Sequence, residues 1–173
     1  MSSNQDLDNF VGLSAILTGF SADDLNPQFS PQPVAVEYLQ TLQAKVAAPL
    51  VTQLLTTYQT IAAQFPAAEQ PAQVQVQILT DPQMGPVARN IIRMWYLSIW
   101  YDGYDTGPVT GFSPGTVVSS NAYTKGLAWD AMQAHPMGYS EMHYGYWATP
   151  PQADDSTDAG SSANGNSSGG GQA

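Results

Sequence analysis

The segment PVARNIIRMWYLSIWY, residues 86–101, gives the strongest indication of how the chain folds. When it is wound as an α-helix, apolar side chains occur on every side, and a helix of that kind is usually buried. The residues Arg89, Asn90 and Arg93 in its first two turns make it too polar to cross a bilayer. The sequence therefore predicts a central helix over residues 86–101 that is buried on all sides by the rest of the chain.

Two arginines on this helix need partners. Arg89 and Arg93 are four residues apart, so they share a helix face, and they are half of the four basic residues in the chain. A guanidinium on a mostly buried helix requires a carboxylate or a carbonyl partner. We favour pairing with acidic loops, for which Asp102 and Asp105 are the candidates. The alternative is that one arginine reaches a partner chain.

The composition narrows the functions that the chain can have. With 173 residues it is long enough for one domain with a substantial core. Its net charge is -10 and it has no basic cluster, which argues against binding to nucleic acid or to anionic lipid. The lack of cysteine excludes disulfides, thiolate nucleophiles and cysteine-ligated metals. Only 10% of the residues are charged, which suggests that another molecule covers part of the surface.

The first part of the chain is predicted to be helical, behind a flexible N-terminus of residues 1–9. Apolar side chains at three- and four-residue steps predict a helix over residues 10–20. Residues 21–31 are predicted to be a loop. A second stripe of apolar side chains, the most regular in the chain, predicts a helix over residues 50–65.

Serine and proline positions set the limits of a further helix between these two. Ser30 followed by Pro31 is typical of an N-cap with proline in the first turn. The helix that starts there extends to Val46. Pro49 is expected to break or kink it, because a proline inside a helix lacks an N–H and clashes with the preceding turn.

The second half of the chain has weaker signals. Residues 73–79, QVQVQIL, alternate as a strand would, but no second strand is obvious nearby, so a short helix or an extended connector is predicted. Asn121 is expected to cap a last helix over residues 122–135, which Pro136 ends. Residues 152–173 are rich in Ser, Gly, Asn and Asp and predict a disordered tail. The predicted fold is all-α, an irregular bundle of about five to six helices with long loops.

Residues suited to acid–base chemistry are few. His135 and His143 have Asp130 and Glu141 nearby in the sequence, and such pairs can transfer protons. No activated nucleophile accompanies them, since there is no cysteine and no Gly-x-Ser-x-Gly turn. We therefore expect structural roles, with His135 at the carboxyl end of the last helix and His143 as a loop hydrogen-bonder. No catalytic, cofactor-binding or metal-binding residue is predicted.

Residues 137–147 are rich in aromatic and methionine side chains, and loops of this composition rarely stay exposed to water. A permanent protein interface would use such side chains. The predicted partner-binding residues lie in this segment and at the ends of the central and last helices: Trp100, Tyr101, His135, Met137, Tyr144, Tyr146 and Trp147.

Four stretches in order resemble a known family. They are FVGLSAILTGF at residues 10–20, ARNIIRMWYLSIWYDG at 88–103, NAYTKGLAWDAMQAHPMG at 121–138 and YGYWATPP at 144–151. Together they resemble the small subunit of the membrane-bound, FAD-dependent sugar and polyol dehydrogenases, the sorbitol, fructose and glucose dehydrogenase group. The resemblance covers residues 10–151, which we take as the domain.

The resemblance implies an accessory role. In this family the FAD and the catalytic residues belong to a large flavoprotein subunit, and a cytochrome c subunit often carries the electrons onward. The small subunit binds no cofactor, has no activity alone, and supports maturation or export of the large subunit. The complex is periplasmic and attached to the membrane without insertion of the small subunit. The N-terminus MSSNQDLDNF lacks a secretory or twin-arginine signal, so the cytoplasm stays an alternative.

Two other functions remain open from the residues themselves. The first is a free-standing helical binding module. The second is a small hydrolase or metal protein that uses the histidines and carboxylates of residues 130–143, which would require a concave pocket that joins them.

Overall fold

The structure is a computed structural model that describes residues 3–103 and 114–136, all within one compact unit. Most of these residues are helical, which confirms the all-α prediction, and a two-stranded sheet is added. In chain order the elements are α1 (Ser3–Thr18), α2 (Ala22–Leu25), α3 (Val34–Lys45), α4 (Ala48–Gln64), α5 (Gln70–Val74), a π-helix (Gln75–Leu79), α6 (Met84–Leu97), β1 (Ile99–Tyr101), β2 (Gly115–Val117), α7 (Ser120–Thr124) and α8 (Leu127–Met132).

The central helix α6 packs against α1, α3, the π-helix and α8. Its buried face carries Trp95, whose ring stacks on Phe10 of α1 at 6.3 Å and meets Tyr38 of α3 edge-on at 4.7 Å. Burying one such ring contributes about 2 to 3 kcal/mol. The prediction that α6 is buried on every side is wrong, because Arg89 and Leu97 are exposed.

The helix also ends earlier than residue 101. Ser98 adopts a left-handed conformation with φ of 58°, which stops α6 at Leu97. Ile99 then pairs with Val117, and Tyr101 with Gly115, in an antiparallel ladder. Residues with β-branched and aromatic side chains suit such a strand, so the apolar pattern continues past the helix while the backbone changes.

Ser98 is held by four hydrogen bonds. Its N–H donates to the Met94 carbonyl at 2.8 Å, and its own carbonyl accepts from the Val118 N–H at 2.9 Å. Its hydroxyl accepts from the Tyr38 hydroxyl at 3.2 Å and donates to the Ala122 carbonyl at 2.6 Å. This one buried residue therefore joins α6 to α3, to the residue that follows β2 and to α7.

The first helix begins before its predicted start. It extends back to Ser3, so residues 3–9 are helical where a flexible N-terminus was expected. The reason is tertiary burial, since Leu7 packs against the core and Asn9 is buried. The predicted loop at residues 21–31 contains the short helix α2, which the Ser21 and Asp24 side chains hold in a capping box.

The limits of α3 and α4 follow from prolines. The prediction that Ser30 caps the second helix is wrong, since α3 begins at Val34. Pro33 disfavours helical backbone at the residue before it, so the helix starts only after Pro33. The helical backbone is interrupted between α3 and α4, as expected from Pro49, which lies in the first turn of α4. The helix predicted over residues 50–65 is confirmed as α4.

The QVQVQIL segment is helical and not extended. Val74 and Ile78 are buried and four residues apart, whereas Val76 is 65% exposed. Burial thus follows a helical spacing, and the alternation of polar and apolar residues in the sequence does not indicate a strand. The Thr80 N–H bonds the Gln75 carbonyl five residues back, as in a π-helix.

The predicted last helix over residues 122–135 is two short helices. Ser119, and not Asn121, caps α7 by accepting from the Ala122 N–H at 2.9 Å. The break falls at Gly126, where a Cβ atom would lie 2.9 Å from the Ser98 hydroxyl oxygen and 3.1 Å from the Tyr96 carbonyl. Close packing of α8 onto the end of α6 therefore requires glycine at this position.

The Ser98 hydroxyl is expected to stabilise the fold. In Ser98→Ala the Tyr38 hydroxyl and the Ala122 carbonyl lose their buried partner, which should lower the free energy of unfolding by about 1 to 3 kcal/mol in urea titrations. Ser98→Gly should be less destabilising than Ser98→Ala by about 1 kcal/mol, because glycine adopts the left-handed backbone without strain. A Ser98→Ala protein as stable as an exposed Ser120→Ala control would contradict this.

Stability should also fall at high pH. Burial raises the pKa of Tyr38 from 10.0 to about 12, so the folded state favours the neutral phenol. The resulting stabilisation, about 2 to 3 kcal/mol, is present below pH 10 and should be lost as the pH rises from about 10 to 12. Burial raises the pKa of Tyr58 as well. Unfolding free energies measured from pH 8 to 12 should fall less steeply in Tyr38→Phe than in the wild type, and parallel curves would contradict the assignment.

Candidate partner-binding site

A carboxylate on α3 holds the segment that leads to the predicted partner-binding residues. The Glu37 carboxylate accepts hydrogen bonds from the Ser119 hydroxyl and, at 2.5 Å, from the Asn121 side-chain amide. Asn121 also donates to the Gln32 carbonyl at 3.3 Å. Asn121 was predicted as a helix cap, but it instead joins α7 to α3.

Further contacts fix α7 and α8 to each other and to the α2–α3 loop. The Lys125 ammonium donates to the Gln32 carbonyl at 3.0 Å and to the Ser30 hydroxyl at 3.3 Å. The Trp129 indole N–H donates to the Tyr123 carbonyl at 2.8 Å, and the two rings meet edge-on at 5.5 Å. These contacts therefore fix the positions of α7 and α8, the two helices that precede residue 136.

Large apolar side chains are exposed on several elements. Leu97 on α6 is 46% exposed, Val117 on β2 is 50% exposed and Met132 on α8 is 62% exposed, and Phe29 and Val76 are exposed as well. Exposed side chains of this kind can contribute to a protein interface, where methionine is enriched.

The structure describes three of the seven predicted partner-binding residues. Trp100 is only 1% exposed, so its ring belongs to the core of the chain. Tyr101 is half-buried, and its carbonyl and N–H bond the Asn90 side chain at 3.0 and 3.4 Å. His135 is exposed and lies three residues beyond α8, not at its end as predicted. The other predicted residues lie outside the described part of the chain: Met137, Tyr144, Tyr146 and Trp147.

The acid–base alternative is described only in part. Asp130 lines a cleft of about 370 Å³ together with Asp24, Lys125 and Trp95, but His135 is not among the described lining residues. The Trp95 indole N–H is buried, and no residue that the structure describes accepts a hydrogen bond from it. Glu141 and His143 lie outside the described residues. Within residues 3–103 and 114–136, no group of three or more His, Cys, Asp or Glu side chains could hold a metal ion.

Arg89 of α6 bonds a carbonyl and not the expected carboxylate. Arg89 donates from Nη1 to the Leu79 carbonyl at 3.0 Å, so the prediction of a carbonyl partner is confirmed for it. Asp102 pairs instead with Lys45 at 3.3 Å. The predicted pairing of Asp102 with the arginines is therefore wrong, since Lys45 lies closer to that loop in the fold. Asp105 is outside the described residues.

Comparisons with known proteins do not place the chain in a family. No family model, no curated protein and no solved structure matches it. None of the helices described here has the length and hydrophobicity that crossing a membrane requires.

The Glu37 contacts are expected to hold residues 119–132 in place. Glu37→Gln keeps an acceptor for the Asn121 amide but loses the charge and places a donor against the Ser119 hydroxyl, which should cost about 1.5 to 3 kcal/mol. Hydrogen exchange at the Ala122 and Trp129 amides should accelerate, while exchange in α4 stays close to the wild-type rate. Glu69→Gln, at an exposed position, is the matched control. Equal exchange in the two variants would contradict this role for Glu37.

Proposed function

We propose that this chain is the non-catalytic small subunit of an FAD-dependent sugar or polyol dehydrogenase complex of the sorbitol dehydrogenase type. It binds the flavoprotein large subunit and supports its maturation or export. The observation that carries the proposal is that the three described stretches of the resemblance, residues 10–20, 88–103 and 121–136, pack against one another as one unit.

The first and second stretches meet through aromatic rings. Phe10 stacks on Trp95 in the core, and Phe20 meets Tyr96 edge-on at 6.2 Å. The Tyr96 hydroxyl also donates to the Thr18 carbonyl at 3.0 Å. The first stretch, residues 10–20, therefore packs directly against α6.

The second and third stretches meet through Ser98. Its hydroxyl donates to the Ala122 carbonyl at 2.6 Å, and the absence of a side chain at Gly126 lets α8 approach it. Motifs that are distant in sequence thus lie in one packed unit. This supports the view that the resemblance extends over a single domain.

The surface also suits an accessory role. Met132 on α8 is apolar and exposed, and α8 is the element that precedes the aromatic and methionine-rich residues 137–147. Only 10% of the chain is charged, so a large covered area would require little desolvation of charge. In the proposed complex FAD is held by the large subunit, a cytochrome c subunit is a further partner, and the assembly is periplasmic and membrane-associated.

Co-expression tests this function. The flavoprotein large subunit should be soluble, flavinylated and active only when this chain is produced with it, and the two should co-purify. Met132→Glu should weaken the association by about tenfold or more if Met132 is buried at the interface, and Trp147→Ala by about 2 kcal/mol or more.

The control for Met132→Glu is Gln53→Glu, which adds the same charge at an exposed position of α4. Circular dichroism should show that each variant stays folded. A large subunit that is fully flavinylated and active without this chain would refute the proposed function.

A further inference from the structure

We propose that the loop between α2 and α3, residues 26–33, anchors this chain to the flavoprotein large subunit by placing the Phe29 ring in an apolar pocket of that subunit. This inference rests on the proposed function and adds the residue and the chemistry of the contact. Phe29 is 97% exposed, more than any other large apolar side chain that the structure describes.

The loop is apolar at its surface and has no charged residue. Its sequence is NPQFSPQP, and Pro27, Phe29 and Pro31 are all exposed. Burial of the loop against another protein therefore desolvates no ionised group of this chain, which would be costly. The gain from removing the Phe29 ring from water is thus not offset by a charge penalty on this side of the contact.

The backbone that carries Phe29 is held in one conformation. The Ser30 N–H donates to the Pro27 carbonyl at 3.1 Å, which closes a turn with Phe29 in its centre. The Lys125 ammonium donates to the Ser30 hydroxyl at 3.3 Å and to the Gln32 carbonyl at 3.0 Å. The three prolines of the loop restrict φ further.

This rigidity distinguishes Phe29 from an ordinary exposed side chain. Single apolar residues on a surface are common and need no partner. A side chain on an ordered loop, however, loses less conformational entropy on binding than one on a mobile loop. Aromatic anchors that fill a pocket of the partner contribute much of the affinity of protein complexes. The hydrogen bonds to Lys125 keep the Phe29 ring in solvent, in the position that such an anchor requires.

The loop is continuous with the helices that precede the predicted partner-binding residues 137–147. Pro27 and Ser30 line a cleft of about 370 Å³ together with Leu127 and Asp130 of α8. The loop and α8 thus form opposite walls of one surface feature. This continuity favours the large subunit as the protein that supplies the pocket, because the same subunit is the proposed partner of the residues after α8.

The decisive variant is Phe29→Ser. The ring is almost fully exposed, so its removal should leave the midpoint of urea unfolding unchanged. With purified flavoprotein, the dissociation constant should rise by about tenfold or more relative to the wild type. Phe29→Leu, which keeps an apolar side chain, should retain part of the affinity.

Val76→Ser is the matched control, since it also replaces an exposed apolar residue by serine, on the π-helix. It should change the dissociation constant by less than about twofold. Equal binding of Phe29→Ser and Val76→Ser would overturn the inference while the proposed function stands. If the wild type binds no flavoprotein, the proposed function fails and this inference with it.

A cross-link identifies the pocket. A photoreactive benzophenone analogue of phenylalanine at position 29 should join to the large subunit on irradiation of the complex, and mass spectrometry locates the joined peptide. We expect apolar residues of the large subunit in that peptide. A cross-link to a second copy of this chain, or none to the large subunit in a complex that has formed, would overturn the inference.

Discussion

The end of the central helix α6 sets the positions of the elements that follow it. Ser98 turns the backbone into the left-handed region, and its hydroxyl connects Tyr38 on α3 with Ala122 at α7. A left-handed residue other than glycine costs free energy, and the four hydrogen bonds of Ser98 offset that cost. Because α6 ends at Leu97, the strand β1 can form and α7 and α8 can pack on the end of the helix. A helix that continued to residue 101 would occupy that space.

Polar contacts in the interior and at the surface connect different elements of the fold. Inside, the Ser98 bonds and the Glu37 carboxylate attach short elements that have little core of their own, since α7 and α8 have only five and six residues. Helices of that length are not stable alone, so these polar contacts determine where the chain emerges towards residues 137–147. At the surface, Arg89 bonds the Leu79 carbonyl and so connects α6 with the π-helix.

Much of the candidate site could not be predicted from sequence because its residues act across long separations. The Glu37 contacts span more than eighty positions, and nothing local marks Glu37, Ser119 and Asn121 as partners. Trp100 was predicted as a partner contact because of its aromatic ring, but the chain buries it. Aromatic residues serve cores and interfaces alike, and only the fold separates the two uses. The carbonyl partner of Arg89 was predictable as a type, although not as Leu79.

Four features could be predicted from local periodicity and proline chemistry: the helical class, a helix over residues 50–65, the break at Pro49 and the burial of most of α6. Three others became evident only in the folded chain: residues 3–9 are helical, α6 stops at Leu97, and the last helix divides at Gly126. Each of these depends on a contact with a distant residue, such as that of Gly126 with Ser98. A contact of that kind leaves no periodic trace in the chain, so packing alone reveals it.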